Sequence, residues 1–506
     1  MEKVIELKSI VKRFGSVLAN DHIDFELYLG ETHALLGENG AGKSSLMNVL
    51  AGVYQPDSGQ IYFNGERVDI PSPRHSIDMG IGMIHQHFKL IEAHTVLENM
   101  MAGMSKGFLL NKKKHYKQVV NLSRRYGLDI DPNSIIEDLS VAQKQRVEIL
   151  KVLFRGANIL ILDEPTAVLT PQEAKKLFSI IDNLKKNNHA IVFISHKLDE
   201  VLAVSDRITV LRNGKNIATL KNEDLDANTL ISNMVGQSLK LEIERPKVMQ
   251  EDIILEVKDL SVLRPDGAFG LKNVGFDLHK GEILGVAGLA GSGQKELCES
   301  IVGLIDKQSG SVIFKGNDIS KNTPRDIIKK GISMSFVPED RLGMGLVASM
   351  DLTDNVLLKS YLKQPGLFVD RDQAKENAKS LVKKLNIDTP SVDITVSKLS
   401  GGNIQKVLLG RELELQPELI ITAYPARGLD IGSAYKIYDL LNEQKVNGHG
   451  VIFIGEDLDV LLEISDRLMV LCNGEVTGIV NPEEVTKEDV GYMMVGRKPE
   501  GMSVNV

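Results

Sequence analysis

The sequence predicts an α/β protein built from two tandem copies of one domain, and three observations carry that reading. The first is an internal repeat. IELKSI at 5–10 returns as LEVKDL at 255–260, and IDFELYLGE at 23–31 returns as VGFDLHKGE at 274–282. SHKLDEVLAVSDRITVLRNG at 195–214 returns as GEDLDVLLEISDRLMVLCNG at 455–474, and NMVGQ at 233–237 as MMVGR at 493–497. The offset grows only from about 250 to about 260 residues, the signature of a duplicated unit. The second observation is alternation: short β-rich apolar runs such as ILIL at 159–162 and AIVFIS at 190–195 take turns with helical patterns such as PQEAKKLFSIIDNLKKN at 171–187. Strands alternating with helices predict a parallel or mixed sheet covered by helices. The third is a glycine-rich loop after a strand-like run and before a helix-like one, present in both copies.

The boundaries follow from the repeat. Residues 1–238 form the first copy and 253–498 the second. LKLEIERPKVMQED at 239–252, charged and proline-bearing without an apolar period, is the expected linker, and 499–506 a short tail. A chain of 506 residues exceeds what one core normally holds.

With 42% apolar and 25% charged residues the composition is that of an ordinary globular protein. The formal net charge of -8, from 68 acidic against 60 basic groups, gives no electrostatic reason to expect a nucleic-acid partner, although a local basic patch stays open. Cys298 and Cys472 lie in different halves and offer no disulfide framework, as expected in a reducing compartment. The start, MEKVIELKSIVKRF, lacks a signal-peptide core, and no run reaches the roughly 18 apolar residues of a span. Any membrane association is expected to go through a partner or a surface patch.

The first glycine-rich loop, GENGAGKSS from Gly37 to Ser45, follows HALL and precedes SLMNVL. That context makes it a phosphate-binding P-loop. Gly37, Gly40 and Gly42, with Glu38, Asn39, Ala41 and Ser45 between and beside them, are expected to wrap backbone N–H groups around the phosphates of ATP at a helix N-terminus. Lys43 neutralises the β/γ charge and Ser44 offers an oxygen to Mg²⁺. In the matching loop, GLAGSGQKE from Gly288 to Glu296, Gln294 stands for Lys43 and Lys295 for Ser44. Reading Lys295 as the P-loop lysine would misplace every glycine. Downstream, ILILDEPT at 159–166 sets Asp163 and Glu164 at the end of an apolar strand, where Asp163 would hold Mg²⁺ through water and Glu164 would orient or deprotonate the attacking water. AIVFISH ends in His196, placed to contact the γ-phosphate. An acidic turn and a structural histidine are the plainer alternatives. In the second copy these three become Ala423, Tyr424 and Glu456, so every side chain needed for phosphoryl transfer has gone from that copy at once.

The chain resembles the double-domain ATP-binding subunits of bacterial ABC importers of the ribose, galactose and xylose type, and within them the branch serving basic-membrane-protein-type nucleoside importers. The resemblance spans nearly all of both copies. It rests on GENGAGKS at 37–44, IGMIHQHF at 81–88, LSVAQKQRVEILKVL at 139–153, LILDEPTAVLTPQE at 160–173, ISHKLDEV at 194–201, VPEDR at 337–341, LSGGNIQKVLLGREL at 399–413 and PARGLD at 425–430. It implies two tandem P-loop NTPase domains of the ABC ATPase type, each with a RecA-like core, an antiparallel β subdomain and a helical subdomain. It also implies that Gln86 senses Mg²⁺ and the permease, matched by Glu339, and that Phe14 stacks on adenine, with Pro265 in the corresponding place.

The family's signature loop donates a serine hydroxyl and glycine N–H groups to the γ-phosphate bound by the opposite domain. Here it reads Leu139-Ser140-Val141-Ala142-Gln143 in the first copy and Leu399-Ser400-Gly401-Gly402-Asn403 in the second. The D-loop residue is Thr170 in the first and Asp430 in the second. Head-to-tail pairing would then join Lys43, Ser44, Gln86, Asp163, Glu164 and His196 to Ser400, Gly401, Gly402 and Asp430 in one complete site. The other site would be weakened on both faces.

The function implied is ATP hydrolysis that drives import of a small solute, a nucleoside or alternatively a monosaccharide. The implied partners are two transmembrane permease subunits and an extracellular solute-binding protein. The implied location is peripheral, on the cytoplasmic face of the bacterial plasma membrane. Translation-associated and DNA-repair ATPases with two such domains are the rival classes. The first would want catalytic parts in both copies, an inserted arm and a basic surface, where the linker here is short and of mixed charge; the second would want a coiled-coil insertion or zinc cysteines, which the sequence lacks.

Overall fold

The computed structural model describes residues 2–497 apart from 16, 86–87, 104–110, 168, 196, 224, 236–242, 337–344, 362–368 and 428. The chain divides into two compact units, Met1–Lys240 and Leu241–Val506. Among the described residues each contains a six-stranded and a four-stranded sheet.

In unit 1 the strands are β1 Lys3–Phe14, β2 Val17–Tyr28, β3 Thr32–Leu36, β4 Ser58–Phe63, β5 Glu66–Val68, β6 Ile81–Ile84, β7 Ile159–Asp163, β8 Ala190–Ser195, β9 Arg207–Arg212 and β10 Lys215–Lys221. The larger sheet runs β10-β9-β3-β8-β7-β6, parallel except for the β9–β10 hairpin. β3 and β8 are buried along their whole length, as is β7 up to Asp163. Continuous apolar runs of this kind suit a sheet covered on both faces. The smaller sheet, β2-β1-β4-β5, is antiparallel, and its irregular registers near Ser9 mark bulges that bend it over the core. Helices Val96–Met101, Lys112–Tyr126 and Val141–Phe154 fill the chain between β6 and β7.

Unit 2 repeats the plan. Its six-stranded sheet includes Ile283–Gly288, Leu419–Ala423 and Gly450–Ile454 at the places of β3, β7 and β8. Its helices Leu352–Ser360, Arg371–Lys384 and Gly401–Glu414 surround a separate apolar cluster that includes Leu352, Val356, Leu381 and Val407. The three parts expected of each domain are therefore present in both units. Of the expected linker, residues 243–252 pack on unit 2: the Asn442 amide donates to the Glu244 carbonyl at 2.6 Å and Arg245 donates to the Ser465 carbonyl at 2.7 Å. Among the described residues no helix is long and apolar enough to cross a membrane.

One buried titratable group sets a pH dependence on unit 1. His33 on β3 lies fully inside, stacked on Phe25 at 4.5 Å, with one ring nitrogen 2.8 Å from the Glu26 carbonyl and the other 2.8 Å from the Thr209 hydroxyl. Burial first, and then the nearby Arg207 charge, push its pKa down to about 3. The folded state thus disfavours the imidazolium. The stability this neutral ring contributes is complete above the unfolded value near 6.5 and is lost as pH falls toward 3. Between pH 7 and 4.5 we expect unit 1 to lose roughly 2–3 kcal/mol through this group. His33→Leu, which borrows the residue of Leu284 at the same place in unit 2, should flatten that part of the pH profile in thermal unfolding.

Candidate nucleotide site

The parallel register brings the predicted groups level. Leu36, the last residue before the P-loop, pairs with Ser195 at the end of β8, and Asp163 at the end of β7 pairs with Ile194. Three adjacent strands therefore deliver the P-loop, the acidic pair and the segment entering position 196 to the carboxyl edge of the sheet, where ligands of such folds bind. Gln86 and His196 themselves lie outside the described residues, as does Glu339.

The P-loop ends in Gly42, the cap of helix Lys43–Leu50, with φ +99°. A Cβ there would come within 2.3 Å of the Ala19 carbonyl oxygen, so only glycine closes this turn. Gly40, at φ +83°, faces open space instead, leaving room for a ligand against the backbone. Lys43 is only 6% exposed and its ammonium donates to the carbonyls of Gly37 at 2.7 Å and Glu38 at 2.9 Å. Burial lowers its pKa, while Glu164 and Asp163 pull the other way. The lysine is thus folded back on the loop's own carbonyls, acceptors that a phosphate would replace.

Asp163 has its pKa raised, chiefly by burial and then by the neighbouring Glu164 carboxylate, against the opposing pull of Lys43 and a hydrogen bond with Ser44. Two oxygen-bearing side chains, Ser44 and Asp163, meet here, with the Glu164 carboxylate crowding that of Asp163. That donor set fits Mg²⁺, which takes one or two protein oxygens and leaves its other positions to phosphate and water. Glu164 has φ +47°, and its N–H donates to the Ile194 carbonyl at 3.0 Å, which fixes the acidic turn to β8. Phe14, 41% exposed, meets Tyr54 edge-on at 5.0 Å and has Lys12 over its ring at 5.4 Å. Its remaining exposed surface is what stacking on a base requires.

Unit 2 keeps the scaffold and changes the chemistry. Gly291 and Gly293 repeat the backbone of Gly40 and Gly42, with φ +84° and +111°. Gln294, 4% exposed, donates to the Leu289 carbonyl at 3.1 Å, the counterpart of the Glu38 carbonyl held by Lys43. It inherits the lysine's structural bond without its charge. Arg264, next to Pro265, donates to the Gly291 carbonyl at 2.7 Å and to Glu296 at 2.6 Å, adding an ion pair at this loop. Tyr424 keeps the strained turn at φ +56°, but burial, reinforced by Glu456, pushes its hydroxyl up to about 12. A phenol so weakly acidic stays protonated at neutral pH and is no base for water.

The signature and D-loop residues in unit 2 are helix caps. The Ser400 hydroxyl accepts from the Asn403 N–H at 3.4 Å and from its amide at 3.0 Å at the start of helix Gly401–Glu414, and Gly401 and Gly402 form its first turn. Asp430 caps helix Ile431–Val446 by accepting from the Ser433 N–H at 2.8 Å and hydroxyl at 2.7 Å. In unit 1, Ser140 and Thr170 cap the equivalent helices through capping boxes with Gln143 and Glu173. The cap explains how threonine and aspartate exchange at the D-loop position without harm to the fold. Sequence reasoning missed these caps, the bond inherited by Gln294 and the intrusion of Arg264.

Comparison with known proteins agrees with this geometry. The family described as ABC transporter matches residues 20–167 and 271–424. The nucleoside import ATP-binding protein NupA of Lactococcus lactis subsp. cremoris is 44% identical over 500 residues, spanning 98% of both chains. The guanosine import ATP-binding protein NupO of Bacillus subtilis is 41% identical over 502 residues, again spanning 98% of both. The ribose import ATP-binding protein RbsA of Clostridium perfringens strain SM101 is 39% identical over 500 residues, spanning 97% of this chain and 98% of its own. A P-loop at the carboxyl edge of a parallel sheet, repeated in two units and matched along both, identifies the chain as a double-domain ATPase of the ABC transporter family.

Proposed function

We propose that this ATPase drives import of a nucleoside through two transmembrane permease subunits supplied by an extracellular binding protein. It would work at the cytoplasmic face of the membrane and hydrolyse ATP with Mg²⁺ only at the site built on unit 1. The observation that carries the single-site reading is the contrast between units. Lys43, Ser44, Asp163 and Glu164 gather in unit 1, whereas the same backbone in unit 2 presents Gln294, Lys295, Ala423 and Tyr424. Nucleoside is favoured as cargo because, of the three relatives described above, the two named for nucleosides share more of their sequence with this chain than the one named for ribose.

Mg²⁺ would shield the phosphate oxygens as charge develops, held through Ser44, Asp163 and Gln86. Lys43 exchanges the Gly37 and Glu38 carbonyls for the β- and γ-phosphates, so its buried charge becomes paired. Phe14 stacks on the adenine. Glu164, held at the turn by the Ile194 carbonyl, accepts a hydrogen bond from the attacking water and takes its proton, and His196 contacts the γ-phosphate. Ser400, Gly401 and Gly402, presented by a helix N-terminus, cap the γ-phosphate of the ATP held by unit 1, with Asp430 beside them.

Uptake of radiolabelled guanosine and of ribose by cells with and without a Lys43→Ala chain tests the assignment. Loss of guanosine uptake with ribose uptake intact is expected. Loss of ribose uptake alone would replace the cargo by a monosaccharide.

A further inference from the structure

We propose that Glu200 is a positioning residue for ATP hydrolysis, clamping the turn that carries Glu164 to the strand end that leads into position 196. One carboxylate oxygen of Glu200 accepts from the Thr166 hydroxyl at 2.5 Å and from the Ser195 hydroxyl at 3.2 Å. Thr166 lies two residues after Glu164, on the same turn, and is 3% exposed. Ser195 is the last residue of β8, and its hydroxyl also accepts from the Lys197 N–H at 3.1 Å, bridging over position 196. The other Glu200 oxygen meets the Lys197 ammonium at 3.3 Å. A single carboxylate thus joins both segments that carry reacting groups.

A carboxylate accepting two buried hydroxyls is also a good way simply to hold a fold together. The second unit separates these roles, because it is the same fold without the clamp. Thr166, Ser195 and Glu200 correspond there to Ala426, Gly455 and Val460, none of which has a polar side chain. Yet the turn forms all the same: Tyr424 has φ +56° against +47° for Glu164, and its N–H donates to the Ile454 carbonyl at 2.8 Å against 3.0 Å for Glu164 and Ile194. Neither the turn nor its anchorage to the neighbouring strand requires the clamp. Among the contacts of unit 2 across the same two loops is a half-exposed ion pair, Arg427 with Glu456 at 3.3 Å. The three clamp residues have disappeared from the unit that lost Asp163, Glu164 and His196, and they persist in the unit that kept them. Their use is therefore to hold the base and the γ-phosphate contact in register. A shift of about 1 Å in such groups is enough to cost a large factor in rate.

The inference rests on the reading that unit 1 hydrolyses ATP through Glu164, and the test separates the two. The full chain is purified with its membrane subunits, and steady-state ATP turnover is measured for Thr166→Val, Thr166→Ser, Glu200→Val, the Thr166→Val/Glu200→Val pair, and Glu164→Gln as reference. Glu200→Val installs the residue that unit 2 already accommodates, so folding should survive. We expect each of the two valine variants to lower kcat by roughly 10–100-fold with KM for ATP within about threefold of the parent. The pair should be no slower than the worse single variant, and Thr166→Ser should recover most of the rate, with the thermal midpoint unchanged throughout. Near-parental kcat in either valine variant, multiplicative losses in the pair, or losses that track a falling thermal midpoint would overturn the clamp while Glu164→Gln remains inactive. Turnover surviving in Glu164→Gln would overturn the underlying reading and the clamp with it.

Discussion

Glu164→Gln should lower ATP turnover of the assembled transporter by roughly 10²–10⁴-fold, the range removed with a general base, while ATP still binds. The substitution keeps the size and shape of the side chain and removes its ability to take a proton. It leaves the backbone anchor to the Ile194 carbonyl untouched, so the turn at φ +47° persists. Binding should survive because the cradle is made by the P-loop backbone and Lys43. Removing one of two crowded charges should also ease the ionisation of Asp163, whose pKa the Glu164 carboxylate raises after burial. Filter binding of labelled ATP and single-turnover phosphate release check the two halves of this expectation. The matching change in unit 2, Tyr424→Glu, should leave turnover as it is, since Ala423 and Gln294 still deny that site a metal ligand and a phosphate cation. A turnover gain from Tyr424→Glu alone would contradict the assignment of one hydrolytic site.

Much of the fold and of the P-loop's surroundings was legible in the sequence because it depends on local chemistry. A lysine after a glycine turn, two acids after an apolar run and a repeat of both at a near-constant offset leave few physical alternatives. Tertiary bonds were not legible. Nothing in GLAGSGQKE announces that Gln294 will take over the carbonyl contact of Lys43, because the acceptor is a backbone atom brought near by loop closure. Likewise LKLEIERPKVMQED reads as a free tether by composition, but Arg245 finds a carbonyl 220 residues further along the chain. The exchange of Asp430 for Thr170 looked like a plain loss of function. The structure adds that both side chains cap a helix, so this position answers to folding in each unit. The Thr166–Glu200 pair was visible only in part. All its members change between the copies, but that they meet depends on β7 and β8 lying side by side.

Unit 2 departs at its P-loop, its acidic pair and the position of His196, and unit 1 at its signature and D-loop. The proposed division of labour between the two sites is exposed by a single added charge. In the assembled transporter, Gly402→Asp should reduce ATP turnover by at least about 100-fold, whereas Ala142→Asp should change it by less than about threefold. A carboxylate about 4 Å from the γ-phosphate meets repulsion on the order of 4 kcal/mol per pair of unit charges in a partly screened site. Folding should tolerate the change. Gly402 is in the first turn of its helix, where an acidic side chain interacts favourably with the helix dipole. The new Cβ would lie 3.3 Å from one methyl of Leu429, a flexible neighbour able to give way. Ala142 belongs to the first turn of helix Val141–Phe154 in unit 1, whose signature would serve the degenerate P-loop. The same charge there would oppose a nucleotide that is not being hydrolysed. Comparable losses from the two variants would mean that the degenerate site also gates the cycle. Unaffected turnover in both would mean that the signature of unit 2 does not serve the ATP held by Lys43.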